Sequence, residues 1–127
     1  CLGTTLGFFM TTPVIIALRA ASHICFALLG AVLIRKIPEI IEKPLPSTVF
    51  NGGLAFVHAL AEVAVVSPFF LAGSIFKPEQ LADGYVMSVL VLVGVGTFLH
   101  SLIDYTVSIM LWKPVRAALP SLAELRE

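Results

Sequence analysis

Six side chains in this sequence could do chemistry, and they fall into three pairs of one spacing. Arg19 and His23, His58 and Glu62, and His100 and Asp104 each stand four residues apart. On a helix that spacing places both members of a pair on one face. A guanidinium binds a carboxylate or phosphate through two parallel hydrogen bonds. Histidines and carboxylates bond hydroxyl, amide and ring-nitrogen groups. Together the six offer a binding site for a small polar molecule.

Other chemistry must be weighed. Three histidines, a glutamate and an aspartate could ligate a divalent metal or relay protons, but Arg19 would repel a cation. Two histidines from different helices could hold a b-type haem in a haem or quinone anchor subunit. An intramembrane hydrolase is the weakest option. The His58–Glu62 spacing is not the zinc-protease His-Glu-x-x-His, and no serine lies in a nucleophile elbow. No catalytic residue, metal ligand or cofactor is therefore assigned.

The elements that position these residues are apolar. Of 127 residues, 58% are hydrophobic and 13% charged, with mean hydropathy +1.01. A soluble domain carries about 25% charged residues, so the low charge points to a lipid-facing surface. The net charge is zero, which leaves nucleic-acid binding nothing to rest on. Cys1 and Cys25 form no disulfide framework.

Three stretches are long enough to span a bilayer, which takes about 20 residues rising about 1.5 Å each. They are residues 14–34, 49–72 and 85–112. The fold expected is an all-α polytopic membrane bundle with three full spans, a single membrane domain over residues 1–127. Residues 1–12 read as an outer loop or the end of a preceding helix, and 113–127 as a tail with a short surface helix. The start at Cys1, inside an apolar segment, reads as the C-terminal part of a larger membrane domain.

The joints follow local chemistry. Pro13 suits a first helical turn with Thr11 or Thr12 as cap. Residues 35–46 hold three prolines and leave the membrane. Ser47 or Thr48 is expected to cap the second span, Pro68 to kink or end it, and Lys113 with Pro114 to end the third. Asn51 reads first as a cap and second as a pocket floor. Ala27 with Ala31, Gly52 with Gly53, and Gly94 with Gly96 are expected to let backbones approach, or to thin a wall for a ligand. Lys and Arg gather in the first loop (Arg35, Lys36, Lys43) and the tail (Lys113, Arg116, Arg126), against Lys77 alone in the second loop. Both basic ends are therefore expected in the cytoplasm of a multi-pass cell-membrane protein, the C-terminus included.

With that orientation, His23, His58 and His100 lie at similar depth, and Arg19 lies level with Glu62. Three membrane charges cost about 8–10 kcal/mol on the insertion scale, as much as about twenty apolar residues return. Structural pairing could account for any one of these residues. As a set they predict an inward-facing polar pocket that opens outward, because intramembrane ionisable residues are functional by default.

Three segments, LRAASHICFALLGAVLIRK, AFVHALAEVAVV and GVGTFLHSLIDY, occur in this order. They resemble the C-terminal half of the substrate-binding S component of energy-coupling-factor vitamin transporters. The resemblance implies six helices in the whole domain, of which these spans are the fourth to sixth. It implies capture of a water-soluble vitamin near the outer face, with Arg19, His23, His58, Glu62 and His100 as pocket candidates. It also implies docking on a transmembrane coupling subunit driven by two ATPase subunits. The chain itself shows no phosphate-binding glycine loop.

Overall fold

A computed structural model describes residues 2–73 and 78–118 of the chain. Among them every regular element is helical, as the apolar stretches demand.

Helix α1 (Leu2–Thr11) stops because Pro13 lacks an N–H and forces the residue before it out of helical geometry. Thr11 and Thr12 do not cap the next helix. Their hydroxyls bond back to the carbonyls of Gly7 and Phe8, at 2.8 Å each. Helix α2 (Val14–Lys36) starts after Pro13 and has no side-chain cap. It stops at Ile37, which precedes Pro38, and a short 3-10 turn follows (Pro38–Ile41).

Helix α3 (Pro44–Leu71) begins five residues before the expected span, with proline in its first turn. Ser47 and Thr48 are therefore not its caps. Ser47 Oγ meets the Tyr105 hydroxyl at 2.9 Å, and Thr48 donates back to the Pro44 carbonyl. Pro68 lies inside the helix, which runs on to Leu71 and ends at Gly73 with φ +62°. A short helix α4 (Pro78–Ala82) occupies part of the second loop, while Lys77 and its neighbours 74–76 lie outside the described residues.

Helix α5 (Val86–Ala118) is wound with π turns over Val86–Val95 and as an ordinary α-helix from Gly96. Lys113 and Pro114 do not end it. A proline removes one N–H and crowds the carbonyl four residues back, which bends a helix without necessarily ending it. Arg116 then reaches Glu42, the residue after the 3-10 turn, at 3.8 Å. The expected surface helix falls partly on residues 119–127, outside the described residues.

Helix α3 is the centre of the bundle. It packs against α2 on one side and α5 on the other, and α1 packs against α2. Both partners run antiparallel to α3. Arg19 meets Glu62 while Gly30 meets Leu54, and Tyr105 meets Ser47 while Tyr85 meets Ser67. Two glycines mark close approaches, since a Cβ on Gly94 would stand 3.1 Å from Val63 and one on Gly30 would stand 3.2 Å from Leu54. Gly52, Gly53 and Gly96 face open space, so close packing is not their role here. Ala27 and Ala31 are exposed and line an apolar groove with Gly30.

The bundle is layered along α3. Ile15, Val66 and Val89 form a buried apolar layer towards its C-terminal end. The ionisable residues lie one to two turns below. Elsewhere α2, α3 and α5 expose large apolar side chains, Leu28, Val49, Phe56, Ile103 and Met110 among them. Helices α2, α3 and α5 are each long and apolar enough to cross a membrane. Continuous exposed apolar surface of this kind belongs against lipid or other helices.

Candidate functional site

Glu62 is 2% exposed and sits on the face of α3 turned towards α2. A carboxylate held there needs a partner, since an isolated charge in an apolar interior costs several kcal/mol. Arg19 supplies it from α2, donating from Nε to Glu62 Oε2. The Arg19 side chain remains 42% exposed, so its guanidinium spans the interior and the open side of the site.

The other carboxylate oxygen, Oε1, faces two imidazoles. His23 Nε2 stands 3.5 Å away and His58 Nε2 stands 3.8 Å away, both beyond the length of a good hydrogen bond. His58 reaches this position because it lies one turn before Glu62 on the same helix. His23 reaches it because it lies one turn after Arg19 on the antiparallel neighbour.

The two rings touch edge to face, with centroids 4.3 Å apart. Phe26 stacks on His58 at 4.3 Å. On its far side His58 Nδ1 pairs with Ser101 Oγ of α5 at 2.6 Å. His58 Nε2 is buried and has no hydrogen-bond partner.

Two cavities flank this cluster. One of about 220 Å³ is lined by Arg19, His23, His58, Glu62 and His100, with Phe8 of α1, Ile16, Ala20 and Thr97. The other, about 230 Å³, lies on the side of the histidines nearer the N-terminal end of α3, and includes Asn51, Ser101, Asp104 and Tyr105. Asn51 is mid-helix and buried, so it caps nothing. It donates to the Leu102 carbonyl at 3.2 Å and lines that second cavity.

The structure thus brings four of the six sequence-derived candidates into one cluster: Arg19, His23, His58 and Glu62. His100 and Asp104 form a separate pair, Nε2 to Oδ2 at 2.9 Å, with both side chains more than 60% exposed. His100 lines both cavities at their edge, and Asp104 lines only the second. Sequence reasoning missed Ser101 and Phe26. Phe26 had a signal, because it follows His23 by three and shares its face. Ser101 had none, because its role depends on which face of α5 meets α3.

The site can bind an anion through the exposed nitrogens of Arg19 and a flat ring against aromatic walls. A haem cannot sit between His23 and His58, since rings in contact leave no room for a macrocycle.

The chain is 33% identical over 120 residues to the niacin transporter NiaX of Lactococcus lactis subsp. cremoris. The match covers 94% of this chain and 52% of that relative, so the chain spans about half the relative's length. The likeness to this vitamin transporter runs along nearly the whole chain, the three spans included. No family model and no solved structure matches it.

Proposed function

We infer that this chain belongs to the S components of energy-coupling-factor vitamin transporters, and propose that it captures a small carboxylated vitamin of the niacin class. The observation that carries this reading is the Arg19–Glu62 pair at the wall of a cavity also lined by His23 and His58, in a chain whose relative is named a niacin transporter.

Niacin is a flat pyridine ring bearing one carboxylate. Glu62 holds Nε of Arg19 and so fixes the guanidinium, and the terminal nitrogens of Arg19 take the substrate carboxylate as a bidentate pair. The ring lies against His23 and His58, and a histidine nitrogen bonds the ring nitrogen. Phe8 of α1 and His100 complete the wall. Asp104, outside this cavity, holds His100 in place.

The protein is a transport subunit, not an enzyme, and none of these steps needs a cofactor. Capture occurs from the outer side of the cell membrane, with the Arg35–Lys43 turn and the C-terminus in the cytoplasm. Release into the cell follows docking on a transmembrane coupling subunit driven by two ATPase subunits, in keeping with a sequence that carries no phosphate-binding glycine loop.

Thermal unfolding of the purified full-length protein, with and without nicotinate, tests the substrate. Stabilisation that grows with nicotinate concentration is expected, as for any ligand that binds only the folded state. No stabilisation by nicotinate, alongside stabilisation by haem, would overturn the reading.

A further inference from the structure

The nitrogen His58 Nε2 is buried, has no hydrogen-bond partner and faces a carboxylate oxygen. We propose that His23, His58 and Glu62 form a binding site for one divalent transition-metal ion of the zinc type. Its fourth position opens into the cavity beside Arg19. This goes beyond the vitamin reading and stands without it.

The geometry fits the ion. Zinc binds imidazole nitrogen at about 2.0–2.1 Å and carboxylate oxygen at about 2.0–2.2 Å, so tetrahedral neighbours lie about 3.3–3.5 Å apart. Here Glu62 Oε1 lies 3.5 Å from His23 Nε2 and 3.8 Å from His58 Nε2, and the three donor groups fall within 4.8 Å of one another. Shifts of a few tenths of an ångström bring the carboxylate to both rings, and the two imidazole donors, within 4.8 Å of each other, close by up to about 1.4 Å as the His23 ring turns. Two histidines and one glutamate around an open position are a known zinc ligand set, and are too nitrogen-rich for Mg²⁺ or Ca²⁺.

The surroundings orient the donors. Ser101 Oγ lies 2.6 Å from His58 Nδ1. When Ser101 accepts the Nδ1 proton, the Nε2 lone pair points at Oε1, and two acceptors face each other in a dry place. A cation between them resolves that conflict, and a ligating histidine characteristically donates its other nitrogen to a polar partner. Arg19 acts against the ion but bonds Oε2, the oxygen turned away from the histidines. Zinc is therefore held less tightly than by the same triad without a guanidinium.

The test uses the full-length protein in detergent, stripped with a chelator and titrated with Zn²⁺ against a chromophoric zinc indicator. One zinc per chain is expected, lost in His23→Ala and in Glu62→Gln and bound more tightly in Arg19→Gln. Mg²⁺ should not compete. His23 is partly exposed, so its alanine variant should fold, and circular dichroism checks this. Cys25, exposed and unpaired, is controlled by Cys25→Ser, which should keep the ion. No zinc bound, zinc lost with Cys25, or zinc that survives His23→Ala and disappears with Asp104→Asn would each overturn the site. Nicotinate binding by the zinc-free protein is measured separately, so failure of one reading leaves the other standing.

Discussion

Arg19 and Glu62 meet across the α2–α3 interface through one carboxylate oxygen, Oε2, and leave Oε1 turned towards two histidines. The pair is unequal in surroundings, because Glu62 is buried while Arg19 is 42% exposed on its side chain. That inequality sets the direction of the first prediction.

Removing Arg19 strands a buried carboxylate, whereas neutralising Glu62 frees a guanidinium that already reaches the open side. Breaking a fully buried pair costs about 3–5 kcal/mol, and the exposure of Arg19 places this one at the low end. Arg19→Ala should therefore lower the unfolding temperature more than Glu62→Gln. Thermal scans of the two variants in one detergent check the order, and the reverse order would contradict the assigned burial.

Ser101 holds His58 through its second ring nitrogen. Ser101→Ala leaves a buried ring nitrogen unpartnered, at about 1–3 kcal/mol, and frees the ring to turn. A loss of stability in that range is expected, with nicotinate affinity reduced several-fold. Calorimetry on the variant reads both. Affinity at the parent level would remove Ser101 from the site.

Gly94 has Val63 within 3.1 Å of where its Cβ would be, whereas Gly52 has open space. Overpacking costs about 1–3 kcal/mol, while alanine is favoured over glycine inside a helix by about 1 kcal/mol. Gly94→Val should destabilise the protein and Gly52→Ala should leave its stability equal or higher. Parallel unfolding curves decide, and equal effects would contradict the α3–α5 contact.

The proposed orientation places Glu39, in the turn after α2, in the cytoplasm, and Glu79, in α4, outside. With Cys25 replaced by serine, Glu79→Cys should react with a membrane-impermeant thiol reagent on intact cells. Glu39→Cys should react only after permeabilisation. The opposite pattern would invert the topology.

Much of this was legible in the sequence because membrane helices obey few rules. Length and apolarity located α2, α3 and α5, and the four-residue spacing placed Arg19 with His23 and His58 with Glu62. Counting residues down antiparallel spans levelled Arg19 with Glu62. Helix ends were read less well. The expected caps at Ser47 and Thr48 fail because α3 starts earlier, at Pro44, and those at Thr11 and Thr12 fail because both hydroxyls bond back to carbonyls of α1, as Thr48 does within α3. Pro114 did not stop α5, since one lost N–H near a helix end is tolerated. The exposure of His100 and Asp104 was hidden, because the face of α5 that meets α3 carries Ser101 and Tyr105 instead, and spacing within one helix does not say which face meets a neighbour.

The central claim is that Arg19 receives a substrate carboxylate. Titration of the full-length protein with labelled nicotinate, beside nicotinamide, which has the same ring without the charge, tests it most directly. Saturable binding of nicotinate, weak binding of nicotinamide, and loss of that preference in Arg19→Gln are predicted. Equal affinity for the two compounds, or nicotinate binding unchanged in Arg19→Gln, would contradict it.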